Sequence, residues 1–244
     1  MSEAKTNTLP DSAMVLAAGL GKRMQSFSSD VPKPMVEVAG ISLINRVLDK
    51  LNSAGIEKAV VNLHHKASML EEHLTQRNTG PEIVISYEKD ALLETGGGVK
   101  NALPLLGNKP FYVINSDALW HDGASSSLHA LAKSWVDGQM DALLLLINTN
   151  KLDSYSGNGD FYMDDNGALS RPNDGIEKPY VFTGVQIINP AIFNEFEKGV
   201  FSLNAVYDKA ALTGRLFGVA HSGMWHHVGS GDEVEIAEKF YSKK

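Results

Sequence analysis

Apolar residues along the chain follow two rhythms. Short apolar or alternating runs cover 13–18, 58–63, 82–87, 111–115 and 142–148, with the length and β-branched content of buried strands. Between them the apolar positions recur at helical spacing. Leu43, Val47, Leu48, Leu51 and Ala54 form one stripe, which Ser42 opens and Gly55 ends. Ser68-Met-Leu-Glu71 has capping-box spacing and predicts a helix to about Arg77. Thr95 with Gly96-Gly-Gly98 opens a helix over 99–106, and another runs from about Ser126 to Val136. Strands alternating with helices predict an α/β fold with a Rossmann-like, doubly wound, mostly parallel central sheet. Ligand sites in such sheets lie at the carboxyl ends of strands.

The rhythm changes past residue 150. Segments 160–163 and 168–171 flank Asp164-Asp-Asn-Gly167, a hairpin turn signal. A strand is expected over 181–188 and a helix from Ser202 to near Gly214. Short strands over 216–220 and 224–227 and a closing helix over 232–241 complete the chain. The expectation is one domain over 12–244 with a small β-rich insertion, preceded by a loose tail over 1–11.

Composition removes several function classes. Hydrophobic residues make up 43% of 244 and charged residues 21%, ordinary for a globular chain with a sizeable core. The net charge of −7 lacks the electrostatic footprint of a nucleic-acid binder. The absence of cysteine excludes disulfides, thiolate catalysis and cysteine-held metals. The first ten residues are polar, and the longest aliphatic run, Ala142 to Ile147, is too short for a bilayer. These features predict a cytoplasmic protein with no membrane partner.

The candidate chemistry begins after the first strand. Gly19 and Gly21 are followed by Lys22 and Arg23, and Lys33 stands between Pro32 and Pro34. Such a junction exposes backbone N–H groups and a helix N-terminus to anions, with mobile cations nearby. Met24 replaces the third glycine of a dinucleotide fingerprint, and the spacing is not that of a Walker A loop. A glycine-softened turn with solvated cations is the plainer alternative. The prolines restrict the backbone on both sides of Lys33 and hold it in place.

Asp117 follows the apolar strand over 111–115, where a carboxylate faces the ligand crevice and can hold magnesium, or cap the next segment. Gly96 to Gly98 let backbone approach a flat ligand, or form a flexible loop capped by Thr95. Glu88 either accepts from a base or is solvated. Asp160 and Thr183-Gly184 suit hydroxyl recognition or plain turns. His64-His65 and His226-His227 are adjacent pairs, whose members face opposite sides of a strand. No His-Glu-x-x-His helix or Gly-x-Ser-x-Gly elbow is present.

Together these stretches resemble the sugar-1-phosphate nucleotidyltransferases. The resemblance is carried by Leu16-Ala-Ala-Gly-Leu-Gly-Lys-Arg-Met24, Pro32-Lys-Pro34, Leu93-Glu-Thr-Gly-Gly-Gly98, Ala102-Leu-Pro-Leu-Leu106, Gly159-Asp-Phe161 and Phe182-Thr-Gly184. Within that family these motifs look most like those of the N-acetylmuramate-1-phosphate uridylyltransferases of bacterial cell-wall recycling. The resemblance implies a nucleotide-diphospho-sugar transferase fold and the conversion of UTP and N-acetylmuramate 1-phosphate to UDP-N-acetylmuramate and pyrophosphate. Mannose-1-phosphate guanylyltransferase or another member of the family is the alternative. A non-catalytic nucleotide-sugar-binding regulator is the alternative of a different class.

The resemblance also implies roles. Ala17, Ala18 and Gly19 contact the nucleotide through backbone, Gly21 permits the loop, and Arg23 and Lys33 act on the phosphates. Glu88, Gly96 and Gly97 surround base and ribose. Asn115, Asp160 and Thr183 face the sugar, and Asp117 binds magnesium, or manganese. The family's second metal carboxylate, expected in a Trp-x-Asp-x-Gly motif, is replaced by His227 in Trp225-His-His-Val-Gly229. Magnesium prefers oxygen ligands. Asp117 and the phosphates hold it almost alone, or Asp232 substitutes, or another metal is used. The molecule is expected as a monomer or homodimer.

Overall fold

In the strands that carry the core, successive side chains enter two different hydrophobic layers. Ala13, Val15, Tyr112 and Ile114 belong to one layer, and Met14, Phe111 and Val113 to the other. A strand buried on both faces suits the interior of a three-layer α/β sandwich. The computed structural model describes residues 10–21, 30–152, 157–172, 175–226 and 228–242.

In chain order the strands are β1 (Ser12–Leu16), β2 (Glu37–Val38), β3 (Ile41–Ser42), β4 (Lys58–Leu63), β5 (Glu82–Tyr87), β6 (Phe111–Asn115), β7 (Leu119–His121), β8 (Ala142–Asn148), β9 (Tyr162–Met163), β10 (Leu169–Ser170), β11 (Tyr180–Ile188), β12 (Leu216–Ala220) and β13 (Met224–His226). The helices are α1 (Leu43–Ser53), α2 (Ala67–Thr75), α3 (Glu94–Leu106), α4 (Ser127–Ser134), α5 (Leu203–Leu212) and α6 (Gly231–Tyr241). The central sheet has seven strands in the order β12-β8-β11-β6-β1-β4-β5. All run parallel except β11, which pairs antiparallel with β6 and β8. Helices α1, α2 and α4 bury their stripes on one face, through Val47, Leu70 and Leu131. Helices α3 and α5 cover the other, through Val99 and Val206.

The order reverses direction at β1, which has β4 on one side and β6 on the other. A crevice opens at such a switch point, beyond the carboxyl ends of the strands. The later strands divide. β11 and β12 join the central sheet, whereas β9–β10 and β7–β13 form separate two-stranded ribbons. The hairpin expected around Asp164 is present: its carboxylate accepts from the Asn166 and Ala168 N–H groups, and Gly167 adopts φ +83°.

Two helix starts differ from expectation. Helix α2 begins before Ser68, after Lys66 in the left-handed region, whose carbonyl accepts from Met69 and Leu70 N–H. Backbone therefore does the capping there, and no side-chain cap forms. Helix α3 begins at Glu94, so Gly96 to Gly98 lie in its first turns rather than in the preceding loop. Asp11, assigned to the tail, is tied down: its carbonyl accepts from Glu57 and Lys58 N–H. Among the described residues no helix is long and apolar enough to cross a membrane.

Candidate active site

The ladder between β1 and β6 continues one bond past the strands, with Ser116 N–H donating to the Leu16 carbonyl at 3.0 Å. This brings Ala17 and Asp117, one residue further along each segment, to the same edge of the sheet. Ala17 and Ala18 are buried, and Gly19 is exposed. Gly21 adopts φ +59°, and a Cβ there would lie 3.2 Å from the Lys33 Cβ. Glycine is needed at that point both for its dihedral and for the passage of the loop over Lys33.

Lys33 lies between Pro32 and Pro34 and opens a 3-10 turn, Lys33–Met35, although a following proline biases its predecessor toward extended geometry. Its Nζ forms an ion pair with the Asp117 carboxylate. Lys33 is the cation among the described residues lining a cavity of about 340 Å³, whose wall also includes Ala17, Gly19, Leu92 and Thr95. A second cavity of about 360 Å³ is lined by Asp160, Phe182, Thr183, Trp225 and His226. Asn115 and Asp117 line both. One carboxylate therefore stands where the two spaces meet. Gly184, at φ +84°, lets β11 approach closely, since a Cβ there would meet Asn115 Nδ2 at 3.0 Å.

Other expected residues have different surroundings. Glu88 is only 3% exposed, and both its carboxylate oxygens are taken, by Asn62 Nδ2 at 2.6 Å and by Leu93 N–H at 2.8 Å. It is therefore neither solvated nor left with an oxygen free of partners. Gly96 and Gly97 both donate their N–H groups to the Phe201 carbonyl. A Cβ on Gly97 would lie 2.1 Å from the Gly199 carbonyl oxygen, and one on Gly96 would lie 2.5 Å from the Phe201 ring. The close approach they permit is to their own chain. Thr183 lines the second cavity, yet its hydroxyl donates to the Leu145 carbonyl at 2.8 Å, within the irregular β8–β11 pairing. Asp160 is exposed and accepts from Phe182 N–H at 2.8 Å. Arg23 and His227 lie outside the described residues.

Two participants had no assigned role in the sequence. Asn62 is buried, and its Oδ1 accepts from Ala17 N–H at 2.7 Å. The signal was a lone amide inside the apolar run 58–63, because a buried polar side chain needs partners. His226 lines the second cavity, and burial lowers its pKa, so a neutral imidazole is favoured there.

The described residues contain no group of three or more His, Cys, Asp or Glu poised for a metal. Asp117 alone still fits an ion such as Mg²⁺, which needs only one or two carboxylates when phosphates and water supply the rest.

Residues 12–220 match the nucleotidyl transferase family. The chain belongs to that family. Over 232 residues it is 43% identical to an N-acetylmuramate alpha-1-phosphate uridylyltransferase of Caulobacter vibrioides, covering 94% of this chain and 96% of that protein. A second such enzyme, from Neisseria meningitidis, is 33% identical over 89% of this chain and 93% of its own. The solved structure of HddC from Yersinia pseudotuberculosis complexed with GMP-PN superposes with a TM-score of 0.77 at 21% identity, covering 94% and 99% of the two chains, and shares the fold. The protein is thus an enzyme of the sugar-1-phosphate nucleotidyltransferase family, with muramate uridylyltransferases as close relatives. Mannose-1-phosphate guanylyltransferases are more distant. Nucleotidyltransferases of this family generally use a divalent metal.

Proposed function

We propose that this nucleotidyltransferase joins UTP and N-acetylmuramate 1-phosphate to give UDP-N-acetylmuramate and pyrophosphate, in the cytoplasm, as a step of peptidoglycan recycling. The observation that carries the reading is the meeting of two cavities at Asn115 and Asp117, with Lys33 paired to Asp117 at the junction. The first cavity takes the triphosphate and the second takes the sugar, so the reacting phosphates meet beside Lys33.

An oxygen of the sugar phosphate attacks the α-phosphorus of UTP, and the bond to the bridging oxygen of pyrophosphate breaks. The nucleophile is already an anion near neutral pH, so no strong general base is required. Catalysis is then positioning and charge stabilisation. The Ala17, Ala18, Gly19 and Gly21 backbone borders the triphosphate. Lys33, with Arg23, offsets the negative charge that accumulates on the phosphates. Bound magnesium, or manganese, would neutralise phosphate charge, held by Asp117 with His227 as the second candidate. On phosphate binding Lys33 exchanges Asp117 for phosphate oxygens, and the carboxylate so released would be available to hold the ion. Asn115 and Asp160 face the sugar.

Pyrophosphate release from a panel of nucleoside triphosphates and sugar 1-phosphates tests the reading. UTP with N-acetylmuramate 1-phosphate is expected to be the best pair. Preference for GTP with mannose 1-phosphate would overturn the substrate choice, and no turnover with any pair would overturn the reaction. Asp117→Ala is expected to abolish turnover, with a milder loss for His227→Ala. Near-normal activity of the Asp117 variant with magnesium would refute the metal assignment.

A further inference from the structure

A continuous line of hydrogen bonds, buried at Asn62 and Glu88, crosses the carboxyl edge of the sheet along the first cavity, whose wall includes Asn62. Ala17 N–H donates to Asn62 Oδ1 at 2.7 Å, Asn62 Nδ2 donates to Glu88 Oε1 at 2.6 Å, and Leu93 N–H donates to Glu88 Oε2 at 2.8 Å. Asn62 is 2% exposed and Glu88 3%. Burying such groups is costly unless their polar atoms are paired, and here the pairing has a direction. Both ends of the line are backbone donors. Ala17 demands the oxygen of the Asn62 amide, which turns the amide nitrogen toward residue 88. Residue 88 therefore faces a donor on each side and must accept twice. Of the side chains of this size, a carboxylate does so, whereas glutamine offers one oxygen and one donating nitrogen.

The surroundings hold the line in place. The Glu88 N–H donates to the Leu63 carbonyl at 2.9 Å, and the Glu88 carbonyl accepts from His64 Nδ1 at 2.7 Å. A Cβ at position 98 would lie 2.7 Å from Glu88 Oε1 and 2.9 Å from Asn62 Nδ2. Gly98 thus clears the space through which the line passes. Leu93 directly precedes α3, so the carboxylate also sits at a helix N-terminus, where negative charge is favoured.

The two ends of the line belong to opposite walls of one space. Ala17 lines the first cavity from the glycine loop, and Leu92, Glu94 and Thr95 line it from the approach to α3. We infer that Glu88 and Asn62 are positioning residues, a buried brace that sets the separation of these walls for the nucleoside triphosphate, and that Glu88 makes no contact with the base. This rests on the reading of the first cavity as the nucleotide site.

Moving the charge along the line tests it. Glu88→Gln leaves one donor facing another donor, and the loss of one buried hydrogen bond is expected to raise the KM for UTP about tenfold. The KM for the sugar 1-phosphate stays within about twofold. Asn62→Asp alone sets two carboxylates against each other and is expected to be worse. The double variant Asn62→Asp/Glu88→Gln keeps the net charge and repairs every bond. The carboxylate moved to position 62 would accept from Ala17 N–H and from the amide nitrogen introduced at position 88. The oxygen of that introduced amide would accept from Leu93 N–H. Its UTP KM and melting temperature should return close to wild type.

A glutamate that reads the base predicts otherwise. Glu88→Gln would then change the preference between UTP and CTP, and the second substitution would rescue nothing. Either result overturns the brace, as does a Glu88→Gln enzyme with unchanged UTP KM. If Glu88→Gln fails to fold, a folded and active double variant still carries the test, and an unfolded one refutes it. Failure of the wild-type enzyme to turn over any substrate pair would refute the proposed reaction instead. UTP binding to the same variants, measured by calorimetry with magnesium present, would then read the brace alone.

Discussion

Gly97→Ala sets two effects of opposite sign against each other. Position 97 is in the first turns of α3, where alanine is favoured over glycine by about 1 kcal/mol. The added Cβ, however, would stand 2.1 Å from the Gly199 carbonyl oxygen, where real Cβ atoms keep at least 3.0 Å. The 199–201 segment must therefore retreat by about 0.9 Å or more. That movement strains the bonds by which Gly96 and Gly97 N–H reach the Phe201 carbonyl, at 2.9 and 3.0 Å. Two weakened hydrogen bonds cost about 1 kcal/mol each, and overpacking adds about 1–3 kcal/mol. After the gain in helix propensity, the net loss is about 2–4 kcal/mol. For a chain of this length that is a fall of about 5–15 °C in melting temperature. Urea and thermal unfolding, followed by circular dichroism, would measure it. Gly96→Ala should also be destabilising, because its Cβ would meet both the Phe201 ring at 2.5 Å and the Phe201 backbone carbonyl oxygen at 2.9 Å. A Gly97→Ala protein that melts at or above wild type would show that the 199–201 segment does not press on α3.

Thr183→Val removes the bond to the Leu145 carbonyl and should cost about 1 kcal/mol of stability, while the KM for the sugar phosphate changes little; a large KM rise would mean that the hydroxyl leaves Leu145 for the sugar. Asp122 accepts from Lys50, Trp120 Nε1 and both the N–H and hydroxyl of Ser127, tying α1 and α4 to β7. Asp122→Ala should therefore lower unfolding free energy by about 2–3 kcal/mol in urea titrations, and a change below about 0.5 kcal/mol would count against that role. His221 has its pKa lowered, chiefly by burial, and so does His73, by burial and then by Arg77. Below the ordinary histidine value near 6.5 the unfolded chain takes up protons that these folded sites resist, so their contribution to stability is complete above about pH 6.5 and falls on acidification. Urea midpoints between pH 5 and 8 should show this loss, and replacing His221 with Gln should make it shallower. An equal slope in the variant would remove His221 from the account.

Much of the fold was legible locally. The runs over 58–63, 82–87, 111–115 and 142–148 coincide with strands, because their pattern reflects burial between helical layers. Ser42, Ser126 and Ser202 cap helices as the sequence signals, because capping needs only a hydroxyl and the amides of the next turn. The capping box at Ser68 was not realised, because the chain enters α2 through a left-handed Lys66 that supplies its own carbonyl. In the site, the Pro-Lys-Pro bracket and the carboxylate after an apolar strand were readable. Their pairing across 84 positions was not, since it depends on how β1 and β6 close together.

By itself the sequence determined the alternation of strands and helices, the family, and the residue types available at the switch point. Those follow from periodicity, proline and glycine chemistry, and motifs that act within a few residues. The tertiary structure alone decided that β11 enters the sheet antiparallel between β6 and β8, because a two-residue period carries no strand direction. It also decided the use of the triple glycine. Its three positions open toward Phe201, Gly199 and the Glu88–Asn62 contact, and those partners arrive from separate parts of the chain. Glu88 shows the physical reason most plainly. A carboxylate at a strand end is solvated or buried according to the donors that face it, and here these come from Asn62 on the neighbouring strand and from the backbone at the start of α3.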